Sequence, residues 1–525
     1  MLNLRKLSLA LGCSLGLVFA PARASVIVGT GGVGGGTLGF TSADAMVLNT
    51  EGIGHVLIVP YFSAQGENMT VFSLTNQDTF NAKAVKVRFR GAVNGDNLFD
   101  LTVFLAPGDV WNAAVKRNPS TGLAELTSSD PSCTLPRLAA GQAYAFSTAR
   151  VNLATTDRAA QTREGFVEMI AMADIPPTVD PASLFGSVQH VSGVPRNCIS
   201  SAVLATLKDA EDENTAASLG FATPTGNLRS QWTVIDGAQT LTYSGNSLAL
   251  MAVDATTGLP GRGRYMVFPQ TSDRADKSSN VDAFTADPLL RSLPWGSKTA
   301  NGLTRTYVTG SVPVVKPLMN DLPDLSTPYI LGVTDPMRQA EVVSLALMSK
   351  ALRNDYVTAP EIEGRTDWVF TFPTKRFSVA MDYGQGKLVY NLMTGFGQTE
   401  YFSGENIVVK DGKICSDFRF SFYDRDGASK NTGNNELATA SFVRLCGMVA
   451  VMPFGSSVPS VTGATLTQEP NGQSAFVNGW VRIDISNGYT GTPVGGSSFV
   501  RARNANAAPG ISGNYGIFSS HKYER

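Results

Sequence analysis

Residues 54–111 read GHVLIVPYFSAQGENMTVFSLTNQDTFNAKAVKVRFRGAVNGDNLFDLTVFLAPGDVW, and this stretch decides the fold class. It holds four strand-like runs, 55–62, 69–75, 84–90 and 99–105. Phe72 and Leu74 alternate with Val71, Ser73 and Thr75; Val85, Val87 and Phe89 alternate with Lys86, Arg88 and Arg90. Phe99, Leu101, Val103 and Leu105 alternate with Asp100, Thr102 and Phe104. A period of two sends successive side chains to opposite faces, so one face is expected in a core and the other in water, as in an antiparallel sheet. The separators Gln65-Gly66, Asn76-Gln77-Asp78 and Asn94-Gly95-Asp96-Asn97 are turn chemistry, and Asn-Gly is the strongest short hairpin signal. Short strands joined this tightly predict an opening meander forming half of a β-sandwich.

Working outward, strand patterns recur at 143–153, 165–173, 232–235 and 239–253, with a short apolar helix at 198–208. The acidic run Asp209-Ala210-Glu211-Asp212-Glu213 ends that helix in solvent, and its spacing fits no calcium loop. Residues 256–325 are rich in Gly, Pro, Ser and Asp and read as a linker or excursion. A helix is predicted over 335–353, with Asp335 as N-cap, Pro336 at its first position and an apolar side including Val343, Leu347 and Leu352. Strands follow at 366–372, 376–381, 387–393, 418–423, 441–451 and 477–486, and residues 491–525 form a tail rich in Gly, Ser, Asn and Ala. The expectation is a mainly-β chain of two sandwich-like units, immunoglobulin-like or jelly-roll-like, with a few short helices. Unit 1 spans 53–255 and unit 2 spans 326–490.

With 525 residues, 43% of them hydrophobic, the chain can fill such cores. Charged residues are 16%, below the roughly 25% usual for soluble domains. The balance of 42 basic against 43 acidic residues offers no field for nucleic acid or an anionic membrane. At the N-terminus, Arg5 and Lys6 precede an apolar run ending at Ala20, and Ala22-Arg23-Ala24 is a small-x-small cleavage site. Residues 1–24 therefore read as a secretory signal peptide. Ala10-Leu11-Gly12-Cys13 is a loose lipidation box, but the apolar run before it is short. No later segment has the ~18 apolar residues of a membrane helix. The expected location is exported, at the cell surface or beyond it.

Removal of residues 1–24 leaves Cys133, Cys198, Cys415 and Cys446. An even count in an exported chain predicts disulfides, with three possible connectivities. Pairing Cys133 with Cys198 and Cys415 with Cys446 keeps each bridge inside one half, and loop entropy makes each worth about 3–4 kcal/mol. A zinc site would need C-x-x-C knuckles, which are lacking.

Motifs that would carry chemistry fail on context. Gly29-Thr30-Gly31-Gly32-Val33-Gly34 matches G-x-G-x-x-G, but more glycines follow where a dinucleotide site needs a helix. The arm 25–52 reads instead as a leader or a strand donor, with Val26-Ile27-Val28 available to a neighbouring sheet edge. Gly245-Asn246-Ser247-Leu248-Ala249 lacks the last Gly and the helix of a nucleophile elbow. The three histidines are His55 opening a strand, His190 in a loop and His521 in a frayed terminus; none is spaced for zinc. Asp424-Arg425-Asp426-Gly427 reads as a turn, with Ser429 where a calcium loop needs glycine. Glu164 with Glu168, or Glu361 with Glu363, are nominal carboxylate pairs for glycoside chemistry. Trp111, Trp232, Trp295, Trp368 and Trp480 are candidates for a sugar-stacking platform or for core packing. No catalytic residue, cofactor site or metal site is assigned.

Several phrases occur together: the stretch from TNQDTF to APGDVW, TREGFVEMIAMADI, TPTGNL, TDWVFTFPTKRFSV and FYDRDG. In this order the chain resembles a family of exported bacterial proteins usually called hypothetical or cell-surface proteins, over most of its length. The resemblance implies one exported β-rich protein with an envelope role and carries no catalytic residues. The expectation is a structural, non-enzymatic protein of the cell envelope, a subunit of a surface layer or fibre, partnered by itself or by envelope components. The alternative is a module binding glycan or another polymer, and behind it a secreted carboxylate-based hydrolase.

Overall fold

The computed structural model describes residues 43–148, 151–152, 155–206, 213–262, 295–300, 303–308, 336–382, 387–391, 402, 407–426, 429–430, 441–455, 460–469, 476–486 and 491–525. Residues 1–24, read above as a signal peptide, the glycine motif at 29–34, Asp335 and most of 256–325 lie outside the described residues. So does most of the acidic run.

The chain is mainly β, with antiparallel sheets arranged as sandwich-like units and a few short helices. In the first half, one seven-stranded sheet runs in the order Ala45–Asn49, Leu248–Val253, Val56–Ser63, Glu164–Ile175, Ala82–Gly91, Asn97–Leu105, Cys133–Leu135. The facing sheet runs Ala143–Ala145, Ala124–Thr127, Val110–Arg117, Asn68–Asn76, Leu228–Asp236, Leu241–Asn246, with Ile53–Gly54 paired at its side. Phe72 on the second sheet meets Phe89 on the first at 5.6 Å between ring centroids, edge to face, which marks the core between them.

The four opening runs are strands, but they do not form a meander. Only Ala82–Gly91 and Asn97–Leu105 pair as a hairpin; Asn68–Asn76 lies in the opposite sheet from Val56–Ser63. Alternation fixes which way side chains point and leaves open which strand is the neighbour. At the corner between the latter two strands, side chains replace the ladder. Thr70 Oγ1 accepts the Ser63 N–H at 2.9 Å and donates to the Ser63 carbonyl at 2.9 Å. The run 239–253 likewise divides at Ser247, its two pieces belonging to different sheets.

The expectation of a wet outer face is also corrected. All ten residues of Ala82–Gly91 are buried, Lys86, Arg88 and Arg90 included. These cations reach carboxylates on adjacent strands: Lys86 to Asp100 at 3.2 Å, Arg88 to Asp100 at 3.9 Å, Arg90 to Glu168 at 3.1 Å. Opposite charges opposed across strands let a polar face be enclosed.

In the second half, a four-stranded sheet (Val449–Phe454, Arg365–Thr371, Gly495–Arg503, Asn514–Ser520) faces a larger one (Ile407–Lys410, Lys413–Tyr423, Asn478–Asp484, Ala351–Val357, Lys522–Glu524). Tyr356 stacks on Phe454 between them at 4.9 Å. The helix spans Pro336–Leu347 and stops short of 353. Leu352, counted above in its apolar side, is a buried strand residue, because pairing with Asn478–Asp484 outweighs local helix propensity. The residues read as a tail supply the strands Gly495–Arg503, Asn514–Ser520 and Lys522–Glu524.

The two halves share one apolar cluster. Phe499 packs against Tyr61, Trp232 and Tyr243 of the first half, with centroids at 6.4, 5.8 and 5.3 Å. Both cysteine pairs are bonded, Cys133 to Cys198 and Cys415 to Cys446, each within one half. Cys415 and Cys446 are directly opposed on adjacent strands.

Candidate functional site

A group of buried ionisable side chains lies around Lys83, near the start of the strand Ala82–Gly91. Lys83 and Asp174 are opposed Cα partners on the adjacent strands Ala82–Gly91 and Glu164–Ile175. Lys83 Nζ lies 2.5 Å from Asp174 Oδ1, and the two side chains are 0% and 1% exposed. A second carboxylate, Asp78 from the corner after Asn68–Asn76, stands 3.7 Å from the same nitrogen. Thr225 closes the group. Its hydroxyl and its backbone N–H donate to Asp174 Oδ2 at 2.7 and 3.2 Å, while Lys83 donates to its carbonyl at 3.1 Å. Burial pushes the Asp174 carboxyl above its usual range, with Lys83 and Thr225 opposing. Burial also acts on Asp78, but hydrogen bonds from Asn81 and the Lys83 charge outweigh it and leave that carboxyl low. His55, buried nearby, is lowered to about 3 by burial and then by Lys83, so it is a neutral acceptor for the Ala252 N–H at 3.1 Å.

Nothing in the sequence reading singled out this group. A signal was present: Lys83 shares the alternation phase of Val85, Val87 and Phe89, which puts a charge on the core-facing side. Asp78, Lys83, Asp174 and Thr225 come from three well-separated stretches of sequence, and the fold brings those stretches to one point.

The nominal carboxylate pairs have other work. Glu164 Oε1 accepts the Thr465 and Leu466 N–H groups at 2.9 and 3.0 Å, and Oε2 accepts the Thr467 N–H at 3.2 Å and its hydroxyl. Glu168 is bound by Arg90. Glu361 is exposed in the short turn Pro360–Ile362, while Glu363 is held by Arg501 and Arg503 at 3.2 and 2.6 Å. Asp367, fully buried, accepts the Ser460 hydroxyl at 2.5 Å and the Thr462 N–H at 3.1 Å; burial raises it and these donors offset part of the rise.

His521, read as part of a frayed end, is 3% exposed and packed against Trp368 and Phe370. The Val369 carbonyl can only accept, so Nε2 carries the proton at 3.1 Å and Nδ1 accepts from Asn354 at 3.0 Å. Burial lowers its pKa to about 3. His190 lies 3.4 Å from Asp109 Oδ2. Lys375 is buried under Phe372 and Phe402, donates to the Ile414 and Gly447 carbonyls at 3.0 and 3.1 Å, and is lowered by burial to about 7. Ser247 is buried in a sheet-to-sheet crossing. Asp424 Oδ1 caps its own turn by accepting the Asp426 N–H at 2.9 Å.

Of the tryptophans, Trp111, Trp232 and Trp368 are core residues, and the side chain of Trp295 lies outside the described residues. Trp480 is half-buried, stacked on Tyr423 at 3.9 Å with rings 7° from parallel. It borders an open cavity of about 360 Å³ with Asp355, Asp424, Arg425 and Asn478. No family model matches the chain, and no curated protein is similar to it.

Proposed function

We propose that the protein is an exported structural component of the cell envelope, built to hold its shape outside the cytoplasm. The observation that carries this reading is how the ionisable groups are used. Glu164, Asp367 and Arg501 fasten distant segments together, the sheet cations are paired with carboxylates, and a disulfide staples each half. Self-association is the expected partnership. Among the described residues the strand Ile407–Lys410 stands at the end of its sheet with Val408 and Val409 exposed, and an open strand edge is a surface for another copy. Fractionation of intact cells, with electron microscopy of surfaces carrying and lacking the protein, tests the reading. Recovery only from the cytoplasm, with thiols free, would overturn it.

A second reading rests on the Trp480 cavity. An aromatic face beside two carboxylates, an arginine and an amide is the chemistry that stacks on a sugar ring and bonds its hydroxyls. A panel of envelope polysaccharides assayed against wild type and Trp480→Ala tests it; binding that survives the substitution places the ligand elsewhere.

A further inference from the structure

We propose that Lys83 and Asp174 condense into an intramolecular isopeptide bond, with Asp78 relaying the proton and Thr225 holding the carboxyl oxygen that remains. The nitrogen lies 2.5 Å from Asp174 Oδ1, in direct contact with the carboxyl group. It is thereby close to the carboxyl carbon, near the ~3–3.5 Å separation from which nucleophilic attack proceeds. The other oxygen, Oδ2, takes two donors from Thr225, an arrangement that polarises the carbonyl and stabilises the oxyanion formed on attack.

In water an ammonium and a carboxylate do not condense. Here both are shut away from solvent, and moving one proton from Nζ to Oδ1 converts the pair to a neutral amine and a neutral acid. Burial favours that neutral form of Asp174. The amine lone pair then forms the N–C bond to Cγ. The Asp78 carboxylate, 3.7 Å from the nitrogen, accepts a proton from it and passes that proton to Oδ1. The Cγ–Oδ1 bond breaks, Oδ1 leaves as water and Asp78 is regenerated. One ammonium and one carboxylate become one amide and one water, with no oxidant or co-reactant.

Two other buried pairs among the described residues have different chemistry. Arg90 with Glu168 offers a guanidinium, which stays protonated and is no nucleophile. Lys86 with Asp100 has Arg88 3.9 Å from the carboxylate, a cation that cannot take the amine proton.

The test is mass spectrometry of the exported full chain, reduced and denatured. The expected mass is one water below that of the sequence from the observed N-terminus. Digestion should give a branched peptide joining Lys83 to Asp174, with no tryptic cleavage after Lys83. Lys83→Arg, which keeps the cation, and Asp78→Asn, which removes the relay, should each restore the water and the linear peptides. A wild-type chain of full mass cleaved after Lys83 overturns the proposal and leaves a buried ion pair. Loss of water with Lys83 still cleavable overturns it too, since a cyclised aspartate elsewhere gives the same mass. An Asp78→Asn chain linked as completely as wild type removes Asp78 from the mechanism.

Discussion

Glu164 and Thr467 stand 303 positions apart in the chain, and the Glu164 carboxylate accepts both the N–H and the hydroxyl of Thr467. With Thr465 and Leu466 added, one side chain of the first half satisfies three successive backbone donors of the second. Glu164→Ala takes the acceptor from all three, the Thr467 N–H in a buried setting and those of Thr465 and Leu466 in part-buried ones. A loss of about 1–3 kcal/mol is expected, since one unsatisfied buried donor costs that much and the two part-buried donors can turn to water. Urea unfolding of the variant measures it. A loss below about 1 kcal/mol would show that water or another group serves those donors equally well.

The disulfides differ in the loops they close, with separations of 65 for Cys133–Cys198 and 31 for Cys415–Cys446. Loop entropy assigns about 4 kcal/mol to the first and about 0.7 kcal/mol less to the second. Paired serine variants of each bridge, unfolded in parallel, should preserve that order.

His521 gives stability a pH dependence with a definite sign. Its folded pKa of about 3 lies below the ordinary 6.5, so between those values the unfolded chain binds the extra proton. Its contribution is complete above pH 6.5 and is lost as pH falls toward 3, at up to about 1.4 kcal/mol per pH unit. His521→Gln should be less stable at neutral pH, and its stability should fall less steeply on acidification. Denaturation at several pH values compares the slopes, and equal slopes would place the titration elsewhere.

Lys375 works on the alkaline side. Lowered by burial to about 7 against an ordinary 10.5, it is a group whose extra proton the unfolded chain binds across that window. Wild-type stability therefore gains on that of Lys375→Met as pH rises from 7 toward 10.5. At pH 7 the apolar variant, of similar volume, is expected to be no less stable, despite losing two hydrogen bonds to carbonyls. Paired denaturation curves across that window check the convergence.

Strands were legible wherever alternation was clean, as in Val85 to Phe89, and the cysteine pairing followed from keeping loops local. Sheet membership was not legible, because Ser247 looks the same whether the chain continues in one sheet or crosses to the other. The strand Gly495–Arg503 hid behind its glycines. A Cβ on Gly496 would sit 1.9 Å from the Val369 carbonyl oxygen, and one on Gly495 would sit 2.2 Å from a Leu248 methyl. Those residues are small because neighbours press on them, and pattern reading took that smallness for looseness. Among the candidate sites, Glu164 was visible as a residue but not as a fastener, since its partners lie some 300 positions away.

The position of Phe499 has a consequence in time. It fills space against Tyr61, Trp232 and Tyr243, and no earlier residue of the chain occupies that place. A polypeptide made from its N-terminus onward therefore leaves that wall of the first sandwich uncovered until position 499 has emerged. Closure of the shared core waits on a residue far along the chain, and the first sandwich cannot complete its packing from its own strands alone.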